Sequence, residues 1–313
     1  MNLVILVAAI APVFLIFGLG YLAGKYKDFD HDQAIGFSHF ALKYALPVAL
    51  FLSMASFKCD LLLQQGPLVV VMIIGYSLFF GVSYLVLCMM TRDRLTAVLL
   101  GYAVSSTAAP IYGLTVLDPI YGDTVGGGVV GLAAVVTNLL QVSVVIYLLE
   151  SASRSETSRP SLARTLGKTI KNPLVWAPVL GTIVSLSGLT MPPVSVSVLK
   201  PLAVCAPGAA IFACGLALAS YSLNLRSRTV ILGSLVCVVL QPAVFFVALK
   251  AWGLKSAMAK AAFVASAMPT STPSALFAQQ YGKCEVETAS IMLLTTLGMV
   301  VVIPATVAIC EWI

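Results

Sequence analysis

Long stretches without a charged residue dominate this sequence and limit what it can fold into. Nine such stretches occur, and a tenth, 33–57, contains Lys43 as its one charge. A helix needs about 20 consecutive apolar residues to cross the hydrocarbon of a bilayer. The nine charge-free stretches are 1–24, 61–91, 95–117, 124–149, 172–199, 201–225, 229–249, 261–282 and 288–310. Only 10% of the residues are charged, against about 25% in a soluble domain. The sequence therefore predicts an all-α membrane protein with ten transmembrane helices.

The positions of lysine and arginine predict the orientation of these helices. Most basic residues fall in segments that face the cytoplasm only if the N-terminus lies outside, which is the arrangement that the positive-inside rule favours. We therefore expect both termini outside and the polar segment 150–171 in the cytoplasm, as a linker between a first half, 1–149, and a second half, 172–313. Because the basic surplus belongs to these loops, no nucleic-acid partner is expected.

The two halves share features at a spacing of 160 residues, which indicates an internal repeat. The aligned pairs are Pro47 with Pro207, Ala49 with Ala209, Val104 with Val264, Ser106 with Ser266, Tyr121 with Tyr281, and Gly122 with Gly282. With five spans in each half, the second half enters the membrane upside down. The fold class predicted is a 5+5 inverted repeat, typical of secondary transporters whose binding site lies where the halves meet.

Two predicted spans, the fourth and the ninth, contain proline among hydroxyl residues near their middle. Proline removes one backbone hydrogen bond and favours a break in the helix. Irregular backbone in the middle of the membrane is tolerated where it is buried against protein or lines a water-filled cavity. A half-helix that begins there presents its N-terminus, which favours an anion. The alternative is a structural kink. The candidate substrate-binding residues are Ser105, Ser106, Thr107, Ala109, Pro110, Asn138, Gln141, Pro269, Thr270, Ser271, Thr272 and Pro273.

Four polar residues, two of them already among these candidates, have two possible roles each. Lys43 is charged inside a predicted span, which marks a functional hypothesis: it either balances a substrate carboxylate or packs structurally. His39 lies one helical turn earlier and either tunes Lys43 or is structural. Asn138 and Gln141 share a helix face and either contact substrate or hydrogen-bond between helices.

Three stretches resemble the auxin efflux carrier family. They read AMPTSTPSALFAQQYG at 267–282, followed by Thr295 and Thr296, ALPVALF at 45–51, and NPLVWAPVLG at 172–181. The resemblance extends over essentially the whole chain. It implies ten helices, a crossover of the fourth and ninth helices at the substrate site, a homodimer, and carboxylate substrates: auxin in plants, malonate and related dicarboxylates in bacteria. Many members have an asparagine near each of the two prolines, whereas this chain has serine and threonine there.

The predicted function is therefore secondary transport of small organic carboxylate anions by alternating access, with a malonate-like dicarboxylate as the leading substrate. The short central segment resembles bacterial members, which implies the inner (plasma) membrane. The alternatives are an auxin-like monocarboxylate efflux carrier and a membrane sensor that binds without transport. No enzyme activity, cofactor or metal is expected. No Asp or Glu falls within a predicted span, so a carboxylate proton relay has no evident carrier. The sequence leaves open electrogenic uniport and coupling to H⁺ or Na⁺, through Lys43, His39 or a bound ion.

Overall fold

Every regular element in the described part of the chain is helical. The computed structural model describes residues 3–29, 31–56, 65–91, 93–153, 173–189 and 191–312, so most of the predicted linker 150–171 lies outside it. The helices are α1 (Leu3–Lys25), α2 (His31–Phe40), α3 (Leu46–Ala55), α4 (Gly66–Ile73), α5 (Phe79–Met90), α6 (Arg94–Ser105), α7 (Ala109–Tyr121), α8 (Asp123–Val135), α9 (Val142–Ser153), α10 (Pro173–Leu186), α11 (Pro193–Leu218), α12 (Arg228–Leu235), α13 (Gln241–Ala251), α14 (Ala257–Ser266), α15 (Thr272–Tyr281) and α16 (Glu285–Ile309).

Eight helical stretches of the described chain are long and apolar enough to cross a membrane, and α10 and α14 are shorter apolar helices. The all-α membrane architecture is confirmed, whereas the ten-helix inverted repeat stays a prediction. The sequence predicts a turn at Met191-Pro192-Pro193 between the sixth and seventh spans, because paired prolines interrupt a helix. The structure agrees, since α10 ends at Leu186, and α11 begins at Pro193 and runs through Lys200. A charge-free window stops at a lysine, but a helix continues when the side chain points outward, and Lys200 is exposed.

Four helix pairs are joined by a single π-helical turn instead of a loop. These turns are Ala41–Ala45 between α2 and α3, Ile74–Leu78 between α4 and α5, Val136–Gln141 between α8 and α9, and Val236–Leu240 between α12 and α13. A π-turn inserts one extra residue, changes which side chains face inward, and often occurs at functional sites. The second and fourth of them lie close to the 160-residue spacing of the sequence repeat.

Close backbone contact joins the N-terminal helix α1 to α11 of the second half. A Cβ atom at Gly20 would collide with the carbonyl oxygen of Phe212, and one at Gly215 would collide with that of Phe17. Small residues allow membrane helices to approach closely. Together with the packing of α10 on α3, this contact makes α1, α3, α10 and α11 one helix group beside the broken helices.

The sequence predicts that no acidic residue lies within a membrane span, and this prediction is wrong for Asp118. The predicted span ended at 117, but the apolar helical stretch continues to Tyr121 and includes Asp118 in α7. Its carboxylate packs against the backbone side of Gly126 in α8, where a Cβ would collide with Oδ1. Among the described residues, this Oδ1 is buried without a hydrogen-bond partner.

Candidate functional site

The predicted fourth and ninth spans are both broken near their middle. In the fourth span α6 ends at Ser105 and α7 begins at Ala109, and in the ninth α14 ends at Ser266 and α15 begins at Thr272. Pro110 and Pro273 each occupy the first turn of the second half-helix. Proline is tolerated there because the N–H groups of a first turn have no partner within the helix. Both prolines therefore begin a new helix and do not kink a continuous one.

The two breaks cap each other through one threonine hydroxyl apiece. Thr107 Oγ1 donates to the carbonyl oxygen of Ala265 at 3.0 Å, and Thr270 Oγ1 donates to that of Ala103 at 2.8 Å. Each acceptor lies in the last turn of the other broken helix, where carbonyl groups lack partners within the helix. The two hydroxyls are therefore occupied in holding the breaks together.

Backbone groups complete this connection. The N–H of Ala108 donates to the carbonyl oxygen of Pro269 at 2.7 Å, and the N–H of Ser271 donates to Ser106 Oγ at 3.3 Å. These four residues are buried, so the hydrogen bonds form away from solvent. The two broken helices are thus joined to each other at their midpoints.

Two buried glutamines hold the end of α6. Gln141 Nε2 donates to the carbonyl oxygen of Ser105 at 3.1 Å and to that of Tyr76 at 3.3 Å. Gln241 Nε2 donates to the same Ser105 oxygen at 2.9 Å. The end of α6 is therefore positioned by side chains from the π-turn before α9 and from the start of α13.

A cavity of about 50 Å³ lies at this junction. A buried water needs about 10–15 Å³ on the same measure, so the cavity has room for a ligand of a few heavy atoms. It is lined by Leu42, Leu46, Tyr102, Ser106, Thr107, Ala108, Pro110, Ile111, Thr137, Asn138, Gln141, Val142, Leu174, Ser271 and Pro273. None of these side chains is charged. The starts of α7 and α15 both border the cavity.

Several predicted site residues line this cavity, and the others lie behind it. Those that line it are Ser106, Thr107, Pro110, Asn138, Gln141, Ser271 and Pro273. Those behind it are Ser105, Ala109, Pro269, Thr270 and Thr272. Thr272 Oγ1 is hydrogen-bonded to Cys214 Sγ at 2.8 Å, and the Ala109 N–H donates to Thr107 Oγ1 at 3.2 Å. This second group shapes the breaks and does not face the cavity.

Asn138 is the polar side chain best placed to meet a ligand. Its Nδ2 donates to the carbonyl oxygen of Ala134, within its own helical stretch, at 2.9 Å. Across the cavity, Ser271 Oγ donates to the hydroxyl of Tyr102 at 3.4 Å, a long hydrogen bond. Amide and hydroxyl groups, together with the positive ends of two half-helices, give the cavity hydrogen-bond donors without a fixed charge.

The structure does not bring Lys43 or His39 into this site. Both side chains are exposed, and neither lines the cavity. Leu42 and Leu46 of the same stretch do line it, and Lys43 lies between them in the π-turn that begins at Ala41. The inward face of this span is therefore apolar, and its one charge points away from the junction.

Sequence reasoning missed Leu42, Leu46, Tyr102, Leu174 and Gln241. Tyr102 lies one helical turn before Ser106, so its position could have been found by helical spacing. Leu46 lies in the 45–51 stretch that carried the family resemblance. Gln241 lies in α13 and Leu174 in α10, and only their packing against the breaks identifies them.

An ion pair joins the start of the first broken helix to the end of the second. Lys283 Nζ donates to Asp93 Oδ2 at 2.7 Å, linking the residue before α6 to the segment after α15. Asp93 also accepts from Thr96 Oγ1 at 2.7 Å and from the N–H of Leu95. The hydrogen bond from Lys283, assisted by that from Thr96, lowers the pKa of Asp93 to about 2.

Comparison with known proteins places nearly the whole chain in one family. The family described as Membrane transport protein matches residues 5–307. The chain is 28% identical over 295 residues to the uncharacterized transporter YfdV of Escherichia coli K12, a match that covers 94% of each protein. The YfdV proteins of E. coli O157:H7 and Shigella flexneri match to the same extent.

Proposed function

The chain belongs to the Membrane transport protein family, and from this premise we propose that it is a secondary transporter of small organic carboxylate anions. A malonate-like dicarboxylate is the leading substrate. The substrate binds in the cavity at the two breaks and reaches either side of the membrane by alternating access. The carrier resides in a bacterial inner membrane, with both termini outside.

One observation carries this proposal: two half-helix N-termini border one uncharged cavity, whose lining is mainly apolar with a few amide and hydroxyl groups. Pro110 in the first turn of α7 and Pro273 in the first turn of α15 are both lining residues. The N-terminal end of a helix carries a partial positive charge and favours a carboxylate. Two such ends beside Asn138 suit an anion with two carboxylates, or one carboxylate and a polar group.

The size of the cavity supports a small substrate. At about 50 Å³ it suits a compact acid better than an aromatic one, unless the surrounding helices move apart. Leu42, Leu46 and Leu174 form its apolar wall. Leu46 lies in α3, Leu42 in the π-turn that leads into α3, and Leu174 in α10. A movement of the helix group that contains α3 and α10 therefore changes the width of the cavity.

This arrangement supports alternating access through movement of two bodies. The reciprocal hydrogen bonds of Thr107 and Thr270 keep the broken helices together, so they move as one body. The group α1, α3, α10 and α11 forms the other. Because the cavity lies between the two, sliding of one body against the other opens it first to one side and then to the other.

The proposal is tested by uptake of labelled malonate into liposomes that contain the purified protein. An auxin-like monocarboxylate, measured in parallel, distinguishes the alternative substrate class. Asn138→Leu removes the cavity amide but keeps its volume, and we expect about a 10-fold loss of uptake, as for one hydrogen bond to a charged group. Thr182→Val is the matched control, because its hydroxyl bonds only to Pro178 of its own helix.

Three results contradict the proposal. No uptake of either acid by a folded protein removes the carrier function, and binding without uptake indicates a sensor instead. Equal uptake by the Asn138→Leu variant and the wild type places the substrate elsewhere.

A further inference from the structure

Buried oxygen atoms without partners are concentrated beside the first break. In the part of the chain that the structure describes, five buried side-chain oxygen atoms lack a hydrogen-bond partner. Four of them belong to Tyr76, Ser77, Gln141 and Gln241, and the fifth is the distant Asp118 Oδ1. Buried polar atoms normally have partners, and leaving one without costs free energy. This concentration therefore indicates a ligand that contacts oxygen.

The four residues form one cluster around the end of α6. Gln141 and Gln241 both donate from Nε2 to the carbonyl oxygen of Ser105, and Gln141 also donates to the backbone oxygen of Tyr76. The ring of Tyr76 packs on that of Phe245, one turn after Gln241 in α13, with centroids 4.7 Å apart. Ser77 is the next residue in the chain.

The hydrogen bonds of the two amides fix which atoms are left over. If either amide were turned around, its oxygen would face the Ser105 carbonyl oxygen, and two acceptors would repel each other. The unpartnered atoms of Gln141 and Gln241 are therefore carbonyl oxygens, which only accept. Both glutamines are at most 1% exposed, so bulk water does not reach them freely.

The charge environment selects a cation as the ligand. Ser105 ends α6, and the C-terminal end of a helix carries a partial negative charge that favours a cation. An anion would face two carbonyl oxygens and this helix end. Divalent cations prefer carboxylate ligands, which this cluster lacks, whereas carbonyl oxygens and half-helix C-terminal ends coordinate Na⁺ in transporters. Amide and serine hydroxyl groups do not titrate near neutral pH, so a proton is not the ligand.

Gln141 connects this cluster to two cavities. It lines the substrate cavity at the break and also a second cavity of about 290 Å³, which reaches Ser77. A cation beside Gln141 would also stabilise an anion in the neighbouring substrate cavity by Coulomb attraction.

We propose that Tyr76, Ser77, Gln141 and Gln241 form a binding site for one Na⁺ ion at the C-terminal end of α6, and that this ion couples to the substrate through Gln141. The binding site stands on the unpartnered oxygens alone, whereas the coupling rests on the proposed transport function.

Thermal unfolding of the purified full-length protein tests the ion site without any substrate. The protein is heated in NaCl, KCl and choline chloride at equal ionic strength. At an Na⁺ concentration well above its Kd, we expect Na⁺ to raise Tm by about 2–4 °C. Equal Tm values in the three salts overturn the ion site, since they indicate that ordered water satisfies the oxygens. An equal rise in NaCl and KCl also overturns it.

Tyr76→Phe and Ser77→Ala locate the site without breaking the hydrogen bonds to Ser105. Each removes a hydroxyl that has no partner, so the fold is retained and the Na⁺-dependent rise in Tm is lost or reduced at least 3-fold. Ser234→Ala is the matched control for serine, because its hydroxyl already bonds to Val230. A rise that both variants retain in full overturns the assignment.

Malonate uptake separates this proposal from the proposed function. If uptake responds to an imposed Na⁺ gradient and loses that response in Tyr76→Phe, the coupling is supported. If Na⁺ raises Tm but no carboxylate is transported, the ion site stands and the transport function fails. If uptake is strong but Na⁺ changes neither uptake nor Tm, the ion site fails and the carrier function stands.

Discussion

The two broken helices have similar local sequences but different surroundings in the structure. The first break spans 106–108 and the second 267–271, and each supplies one threonine that caps the other. The stretch that holds the first break is buried throughout its most apolar window, whereas the last half of the second is partly exposed along α15. Equivalent local sequence therefore does not give equivalent sites.

The side-chain contacts of the backbone at the two breaks show this difference most clearly. Ser105 receives two glutamine amides, from Gln141 and Gln241. At the first break side chains donate to the backbone, whereas at the second break the backbone donates to a side chain. There the N–H of Thr270 donates to Thr295 Oγ1 at 3.2 Å. Unpartnered oxygens therefore lie beside the first break, whereas a threonine hydroxyl contacts the backbone of the second. This teaches that the neighbouring helices, and not the breaks themselves, decide what each break can bind.

Removing the mutual caps is expected to have the largest effect. Thr107→Val removes the hydroxyl donor to the Ala265 carbonyl, which keeps a longer bond from the N–H of Met268, and also removes the acceptor of the Ala109 N–H. Thr270→Val removes the hydroxyl donor to the Ala103 carbonyl. Each is expected to destabilise the fold by about 1–3 kcal/mol, the cost of a buried group left unsatisfied, and to abolish most of the transport. Thermal unfolding and uptake assays measure these effects.

A control variant separates capping from the loss of a hydroxyl alone. Thr306→Val removes a buried hydroxyl that bonds only to carbonyls of its own helix, at Val302 and Ile303, and is expected to cost less than either cap. If the caps are reciprocal, both cap variants lower the stability more than Thr306→Val does. If only Thr270→Val does so, the caps are not reciprocal, and the hydroxyl of the second break alone holds the junction.

The far ends of the two broken helices differ in charge, and a substitution at Asp118 is expected to have an intermediate effect. Asp118 near the end of α7 has an unpartnered Oδ1 and feels the like charge of Asp123, whereas Gln279 near the end of α15 accepts from the hydroxyl of Tyr221. Asp118→Asn removes the repulsion and is expected to stabilise the fold by about 1 kcal/mol, seen as a higher Tm.

Asp123→Asn is the comparison for this prediction. Asp123 lies in the first turn of α8, where a negative charge is favourable, so its removal is expected to gain less than that of Asp118. A fall in Tm for Asp118→Asn would instead show that the carboxylate contributes a stabilising contact.

The ion pair between the ends of the broken helices is expected to give the smallest effect. Asp93 and Lys283 are 44% and 47% exposed, so solvent screens them and their pair contributes well below about 1 kcal/mol. The pKa of Asp93 falls from 3.8 to about 2 because Lys283 and Thr96 donate to it. Its contribution is therefore present above about pH 4 and lost as the pH falls to about 2.

Lys283→Met tests this sign. The difference in Tm between wild type and variant is expected to be small at pH 5 and to shrink further toward pH 2, measured in unfolding scans at several pH values. A difference that grows on acidification contradicts the role of the pair.

Much of the architecture follows from the sequence. The charge-free stretches predict apolar helices, and the described chain contains eight long enough to cross a membrane. The resemblance to the auxin efflux carrier family is confirmed by the family match over residues 5–307. Proline among hydroxyls predicts both breaks, because the missing N–H of proline is compatible with the first turn of a helix and not with its middle.

The roles of single polar residues are less predictable. Lys43 is conspicuous in sequence as a charge inside a span, yet it is exposed, because a π-turn and the apolar leucines beside it fix the inward face. Thr107 and Thr270 carry hydroxyls suited to a carboxylate, yet these hydroxyls cap helices. The charge-free stretch ends at 117, but the helix continues beyond it, so the sequence does not predict Asp118 as a residue within a span.

The sequence by itself determined that this chain is a membrane protein of the family to which it belongs, with two spans interrupted at proline. Those properties depend on local composition and on backbone chemistry, which the order of residues contains. Only the tertiary structure decided that each break caps the other and that Gln141 and Gln241 meet at the Ser105 carbonyl. These contacts join residues more than 30 positions apart in the chain, so they exist only once distant helices have packed together.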